Sequence, residues 1–219
     1  MRRFLIGAVV LGLSSVGLAQ DAAKVAANEY KVVGETPGFR VMRVNYAARA
    51  ETQAHQHPEN LVISLVASRV RFDLPGGKSE TIDMAANSAG FHPAGVHSVR
   101  NLGGPIDAVI IEFKTPTPGT AALPASREGL TLKPIAEGPR ATAYLATGSG
   151  TFAEPAGSKH DFDQVVVATG PGQMSLSIDG KPAKTSWVRG DTVIIPRGTG
   201  HESKNIGGKP IDFIVVAIK

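Results

Sequence analysis

The stretch NLGGPIDAVIIEFK, Asn101 to Lys114, returns near the end of the chain as NIGGKPIDFIVVAIK, Asn205 to Lys219, with one residue inserted. PAGVHSVRN from Pro93 has its echo in PRGTGHESKN from Pro196, and RFDLPGGK at Arg71 in LSIDGK at Leu176. The paired features stand 103 to 105 residues apart. One long period seen twice describes two copies of a domain rather than a solenoid, which stacks three or more short repeats. Between the copies runs TPTPGTAALPAS, Thr115 to Ser126, whose prolines fix the backbone and remove donors. We read residues 20–114 and 127–219 as the two domains and 115–126 as their linker.

Each copy consists of short β-branched runs set off by turn signals. FRVMRV, LVISLVASRVRF and AVIIEF alternate with turns such as PGG at Pro75 in the first; VVVAT, DTVII and DFIVVAI alternate with DGK at Asp179 and RGD at Arg189 in the second. Helical periodicity is nearly absent. The expectation is an all-β protein, a sandwich or barrel in duplicate.

The first nineteen residues carry Arg2 and Arg3, an apolar run from Phe4 to Leu13 and small residues up to Ala19. That is the layout of a secretory signal peptide cleaved after Ala19, too short to span a membrane. The arginine pair lacks the spacer usual in a twin-arginine signal. The expected mature protein is periplasmic or secreted, with no membrane segment. It has no cysteine, which excludes disulfides and thiolate chemistry. Of the 23 Lys and Arg, two fall in the leader, and the remaining 21 face 19 Asp and Glu without a basic cluster. Nucleic acid is therefore excluded as an expected partner.

The histidines carry the chemistry. In a strand, residues two apart face the same side, so His55 and His57 in QAHQHPENLV project together. Glu59 has the same parity if the strand continues through Pro58.

Further along, Gly190, Pro196, Gly198, His201 and Asn205 form G-x5-P-x-G-x2-H-x3-N, and the first copy repeats it as Pro93, Gly95, His97 and Asn101 with Asn87 in the place of the leading glycine. This resembles the second motif of the cupin superfamily, and His55-x-His57 resembles its first. The resemblance covers nearly all of the chain after the leader and implies two tandem cupin-like barrels (double-stranded β-helix, or jelly roll), packed as an intramolecular pseudo-dimer and monomeric by default. It also implies that His55, His57 and His97 hold a divalent transition metal (Fe, Mn, Zn, Cu or Ni), with Glu59 as a fourth ligand or a general base. The family places Glu three or four residues after the second histidine. Here the fourth position is Leu61, and Asn60 is a weaker candidate. In the second copy, Ser158, His160 and Gln164 align with the first motif, so His160, Gln164 and His201 form a weaker second set.

His92 reads as a core or rim histidine, Asn101 and Asn205 as turn formers, and Trp187, aligned with Met84, as packing. The activities that the resemblance implies are those of a metal-dependent oxidoreductase, dioxygenase-like, or else an isomerase or lyase including decarboxylation, on a small organic substrate. The alternative is a non-catalytic periplasmic binder of a small molecule or sugar with vestigial metal positions.

Overall fold

The computed structural model describes residues 20–114, 121 and 126–219. The expected leader and, except for Ala121 and Ser126, the expected linker lie outside the described residues. The first copy runs β1 (Gln20–Asp21), α1 (Ala22–Val25), β2 (Tyr30–Glu35), β3 (Phe39–Tyr46), β4 (His55–His57), β5 (Asn60–Ser64), β6 (Ser68–Asp73), β7 (Ser79–Met84), β8 (Ser88–His92), β9 (Gly95–Asn101) and β10 (Ile106–Phe113). The second runs β11 (Ser126–Arg127), β12 (Leu130–Glu137), β13 (Ala141–Gly148), β14 (Asp163–Ala168), β15 (Gly172–Ile178), β16 (Lys181–Trp187), β17 (Thr192–Ile195), β18 (His201–Asn205) and β19 (Ile211–Ile218). Among the described residues no helix is long and apolar enough to cross a membrane.

In the first copy, the sheet β2-β3-β10-β5-β8 faces the sheet β1-β4-β9-β6-β7; in the second, β11-β12-β13-β19-β14-β17 faces β16-β15-β18. The sequence repeat is also a repeat in register. Phe113 pairs with Phe39 as Ile218 pairs with Ala141, and Val70 pairs with Asn101 as Met174 pairs with Asn205. Tandem all-β barrels are therefore what the chain forms.

Among the described residues the buried side chains form three clusters. One lies inside the first barrel, around Val44, Val70 and Ile106; one lies inside the second, around Phe152, Met174 and Trp187. The third joins the two, with Phe39, Val41, Leu61, Ile63 and Ile111 from the first copy meeting Ala143, Val165, Ile214 and Val216 from the second. This shared cluster explains why β10 and β19 read as unbroken apolar runs. Ile106, Ala108 and Ile110 point into their own barrel while Val109, Ile111 and Phe113 point at the neighbour, so both faces are buried. Each fully buried aliphatic side chain there contributes roughly 1.5–3 kcal/mol.

The contact is two-fold in kind, since β8 packs on β12 and β17 on β2. At its edge, Arg43 Nη2 donates to the Arg189 carbonyl at 3.2 Å. Gly190 has φ 81°, and a Cβ there would fall 0.7 Å from Arg43 Nη1. Asn87, its counterpart in the first copy, adopts the same left-handed region at φ 56°, which asparagine tolerates better than most residues. The RGD segment is thus a turn at the barrel contact.

Candidate metal centre

The site grows from one strand pairing. β4 pairs antiparallel with β9, His55 opposite His97, and the alternation of the strand places His57 on the same face as His55. Ring centroids lie 5.0 Å apart for His55 and His57, 4.9 Å for His55 and His97, and 5.2 Å for His57 and His97. One nitrogen from each ring falls within 4.8 Å of the others.

Hydrogen bonds fix how two of these rings present themselves. His55 Nδ1 lies 2.8 Å from the Gln53 carbonyl, and His57 Nδ1 lies 2.6 Å from Glu112 Oε1. Both partners are acceptors, so Nδ1 is the donor in each ring and Nε2 is the nitrogen turned away from these partners. Each of these Nε2 atoms is buried and has no partner among the described residues, a condition that buried polar atoms rarely tolerate. Burial holds the pKa of His55 below the usual imidazole range. Burial, helped by the neighbouring imidazoles, pushes His97 down to about 3. Three imidazoles with converging nitrogens are the donor set of a divalent transition metal. The residues fit such an ion, and His55, His57 and His97 would hold it.

Glu112, which sequence reasoning missed, anchors the site from behind. The residue is 1% exposed, and its carboxylate lies between His57 and Arg40. Arg40 Nε donates to Oε2 at 2.8 Å and Nη2 contacts the same oxygen. Arg40 Nη1 in turn pairs with Asp21 Oδ2 at 2.8 Å. Asp21 belongs to β1, which runs parallel to β4 with Gln20 opposite His55. A chain of charge therefore ties the first described strand to the back of His57. The signal was in the sequence: a glutamate inside AVIIEF, where the second copy has Ala217, must find a partner.

Glu59, expected as fourth ligand or general base, does not join the histidines. β4 ends at His57 and β5 begins at Asn60, and the two-residue break at Pro58 and Glu59 resets the alternation. Glu59 instead turns to Arg140 of the second copy, 3.5 Å away and partly exposed. Asn60 takes the inward position, where it is buried and donates from Nδ2 to the Pro58 carbonyl at 2.9 Å. An amide therefore stands where the resemblance implied an acid.

Beside the triad opens a cavity of ≈ 320 Å³. His57, Asn60, His92 and His97 line it, with Tyr30 and Tyr46. Tyr46 donates to the Tyr30 hydroxyl at 2.8 Å. Burial lifts Tyr46 to about 12 and Tyr30 well above its ordinary value, so both phenols stay protonated. His92 is a half-buried cavity residue 6.4 Å from the Phe72 ring. Asn101 and Asn205 form matching turns, each amide donating to two backbone carbonyls.

The second copy gathers a different set. His160 and His201 lie 5.1 Å apart by ring centroids, and the third member of the group is Glu154, which the sequence reading did not name. Gln164 lines the same small cavity, ≈ 40 Å³, with its Nε2 buried and partnerless. Here the donors are largely used by one another. Glu154 Oε1 accepts from Arg127 at 2.5 Å, and Oε2 accepts from Ser203 at 2.9 Å and faces His201 Nε2 at 3.3 Å. Burial alone would raise Glu154, but His201 and Arg127 outweigh it and hold the carboxyl at about 2. Burial likewise opposes charging His201, and the Glu154 carboxylate overcomes it, so His201 titrates above its ordinary range.

No family model matches the sequence, and no curated protein does. Solved structures do. The chain is similar to AerE from Microcystis aeruginosa, with TM-score 0.64 and 13% identity over 87% of this chain and 97% of that one. It is similar to an oxalate decarboxylase of Bacillus subtilis, with TM-score 0.59 and 14% identity over 86% and 71%. A cupin 2 conserved barrel domain protein from Leptotrichia buccalis gives 0.56 and 11% over 87% and 88%. At such identities the likeness defines the fold, a tandem pair of cupin-type barrels. The first barrel carries a three-histidine cluster of metal-ligand geometry.

Proposed function

We propose that this chain is an exported, metal-binding bicupin. In this reading its first barrel holds a divalent transition metal through His55, His57 and His97 and acts on a small organic substrate in a dioxygenase-like reaction. The observation that carries the reading is the pair of buried, partnerless Nε2 atoms on His55 and His57, converging with His97 beside a cavity. Three protein ligands leave positions open, and a redox-active ion bound there supplies Lewis acidity and a means of engaging dioxygen. The chain's own residues do the rest. The Gln53 carbonyl and Glu112 hold the Nδ1 protons and orient two of the rings, the cavity walls exclude water, and the protonated Tyr30 and Tyr46 offer a hydrogen bond beside the histidines. The second barrel serves as a packing partner.

The nearest catalytic alternative is lyase or isomerase chemistry, since an oxalate decarboxylase shares the fold. A non-catalytic binder is favoured by one observation: among the described residues no carboxylate joins the three converging nitrogens. The apolar walls speak against a sugar as its ligand.

The test is metal content. Purified protein reconstituted separately with Fe, Mn, Zn, Cu or Ni and then desalted should retain about one ion per chain. His201→Ala should retain it and His97→Ala should lose it, and an oxygen electrode then screens organic substrates on the loaded form. Absence of retained metal with every ion tried overturns the reading.

A further inference from the structure

We propose that the cavity beside His55, His57 and His97 takes an uncharged, largely apolar small molecule, which turns one oxygen-bearing end to the histidines, and that it rejects small dicarboxylates. The orientation of the polar end rests on the metal reading above; the apolar preference rests on the cavity alone.

The walls are side chains such as Val44, Val62, Phe72, Ile82, Met84 and Ile110. Among the described residues lining the cavity there is no lysine or arginine, and apart from imidazoles and phenols the one ionisable group is Glu80. A dicarboxylate entering this space would leave water for apolar walls and meet a carboxylate, with no guanidinium or ammonium to pair its second charge. Buried charge without a partner is strongly disfavoured. The polar groups adjoin one another: the Tyr30 ring lies 5.2 and 5.3 Å from His55 and His57, and Tyr46 bonds Tyr30. A ligand with one polar end and an apolar body matches that division, which is the usual build of a small-molecule pocket.

The second barrel shows that the space belongs to the first barrel's side chains and not to the fold. In matching register, Ala50, Val70, Met84 and Ala108 of the first copy stand where the second has Phe152, Met174, Trp187 and Phe213. Those four larger residues are buried in the second barrel, and its cavity is ≈ 40 Å³ against ≈ 320 Å³. Of these, Val70, Met84 and Ala108 line the open cavity of the first barrel, and Phe152, Met174 and Phe213 line the small one of the second.

The test titrates 2-naphthol and oxalate, by calorimetry, into full-length protein in metal-loaded and metal-stripped form, with metal content measured on the same samples. 2-Naphthol should bind at least roughly tenfold more tightly than oxalate. Ala108→Phe, which installs the second barrel's plug, should weaken 2-naphthol by roughly tenfold or more while metal content stays unchanged. Val70→Met is the milder plug should Ala108→Phe fail to fold. If metal is retained and oxalate binds as tightly as 2-naphthol, the ligand proposal falls and the metal reading stands. If no metal is retained and 2-naphthol is still preferred, the apolar preference is supported and the metal reading falls. Binding of 2-naphthol unchanged in both plugged variants overturns the proposal.

Discussion

Where the first barrel has Thr52, Val99, Ala108 and Glu112, the second has Glu154, Ser203, Phe213 and Ala217, at positions matched by backbone pairing. In the first barrel, the carboxylate stands behind His57 and leaves the imidazole face free. In the second, it stands in front of His201 and occupies it. The same two-histidine remnant of a common plan therefore reads as an open donor set in one copy and a closed ion pair in the other. Volume follows the same division, because the side chains that enlarge the core of the second copy also fill its pocket. A histidine at a motif position is thus not enough to define a site; what faces its free nitrogen decides.

The largest effect that tests this contrast is on metal. His97→Ala should take the retained ion from about one per chain to near none, whereas His201→Ala should leave it unchanged; elemental analysis after desalting reads both. Equal losses in the two variants would erase the distinction between the barrels. Next in size is stability. Glu154→Ala leaves His201 and Ser203 without their buried acceptor and should cost about 1–3 kcal/mol in denaturant unfolding. The sign with pH follows from the lowered pKa: Glu154 titrates at about 2 in the fold against 4.5 ordinarily. Its contribution is complete above about pH 4.5 and is lost as the pH falls towards 2. Glu154→Gln should remove that acid limb, and a variant that keeps it would locate the titrating group elsewhere.

A smaller effect is expected behind the metal triad. Glu112→Gln keeps the shape but weakens the acceptor that orients His57, and metal affinity should fall about 10–100-fold while the cavity still binds 2-naphthol. Loss of both together would mean that the substitution disturbs the fold. The smallest effect compares the two turns at the start of the second motif. Asn87→Gly should change stability by no more than a few tenths of a kcal/mol, since both residues adopt positive φ. Gly190→Asn should cost more, because its Cβ meets Arg43.

Much of this was legible in the chain. The duplication and the all-β class follow from period and turn signals, the shared face of His55 and His57 from alternation, and the turn roles of Asn101 and Asn205 from the residues around them; His97 joined the pair only through the resemblance of its motif to that of the cupin superfamily. Glu59 misled because its parity was counted through Pro58, and a two-residue break there exchanges the inward face from Glu59 to Asn60. Glu112 and Glu154 went unnamed for a different reason. They reach the histidines from strands and loops that no motif links to them, and only pairing of β10 with β5 and of the segment at Glu154 with β18 brings them close.

The sequence by itself determined that two copies of one β-scaffold would form and which rings would share a strand face, because alternation and repeat period are local properties of the chain. Which nitrogens remain free, which carboxylate backs a ring and which blocks one, and whether a barrel is hollow were decided by tertiary structure. These depend on contacts between residues far apart in sequence, where one Ala-to-Phe difference across a sheet outweighs any motif.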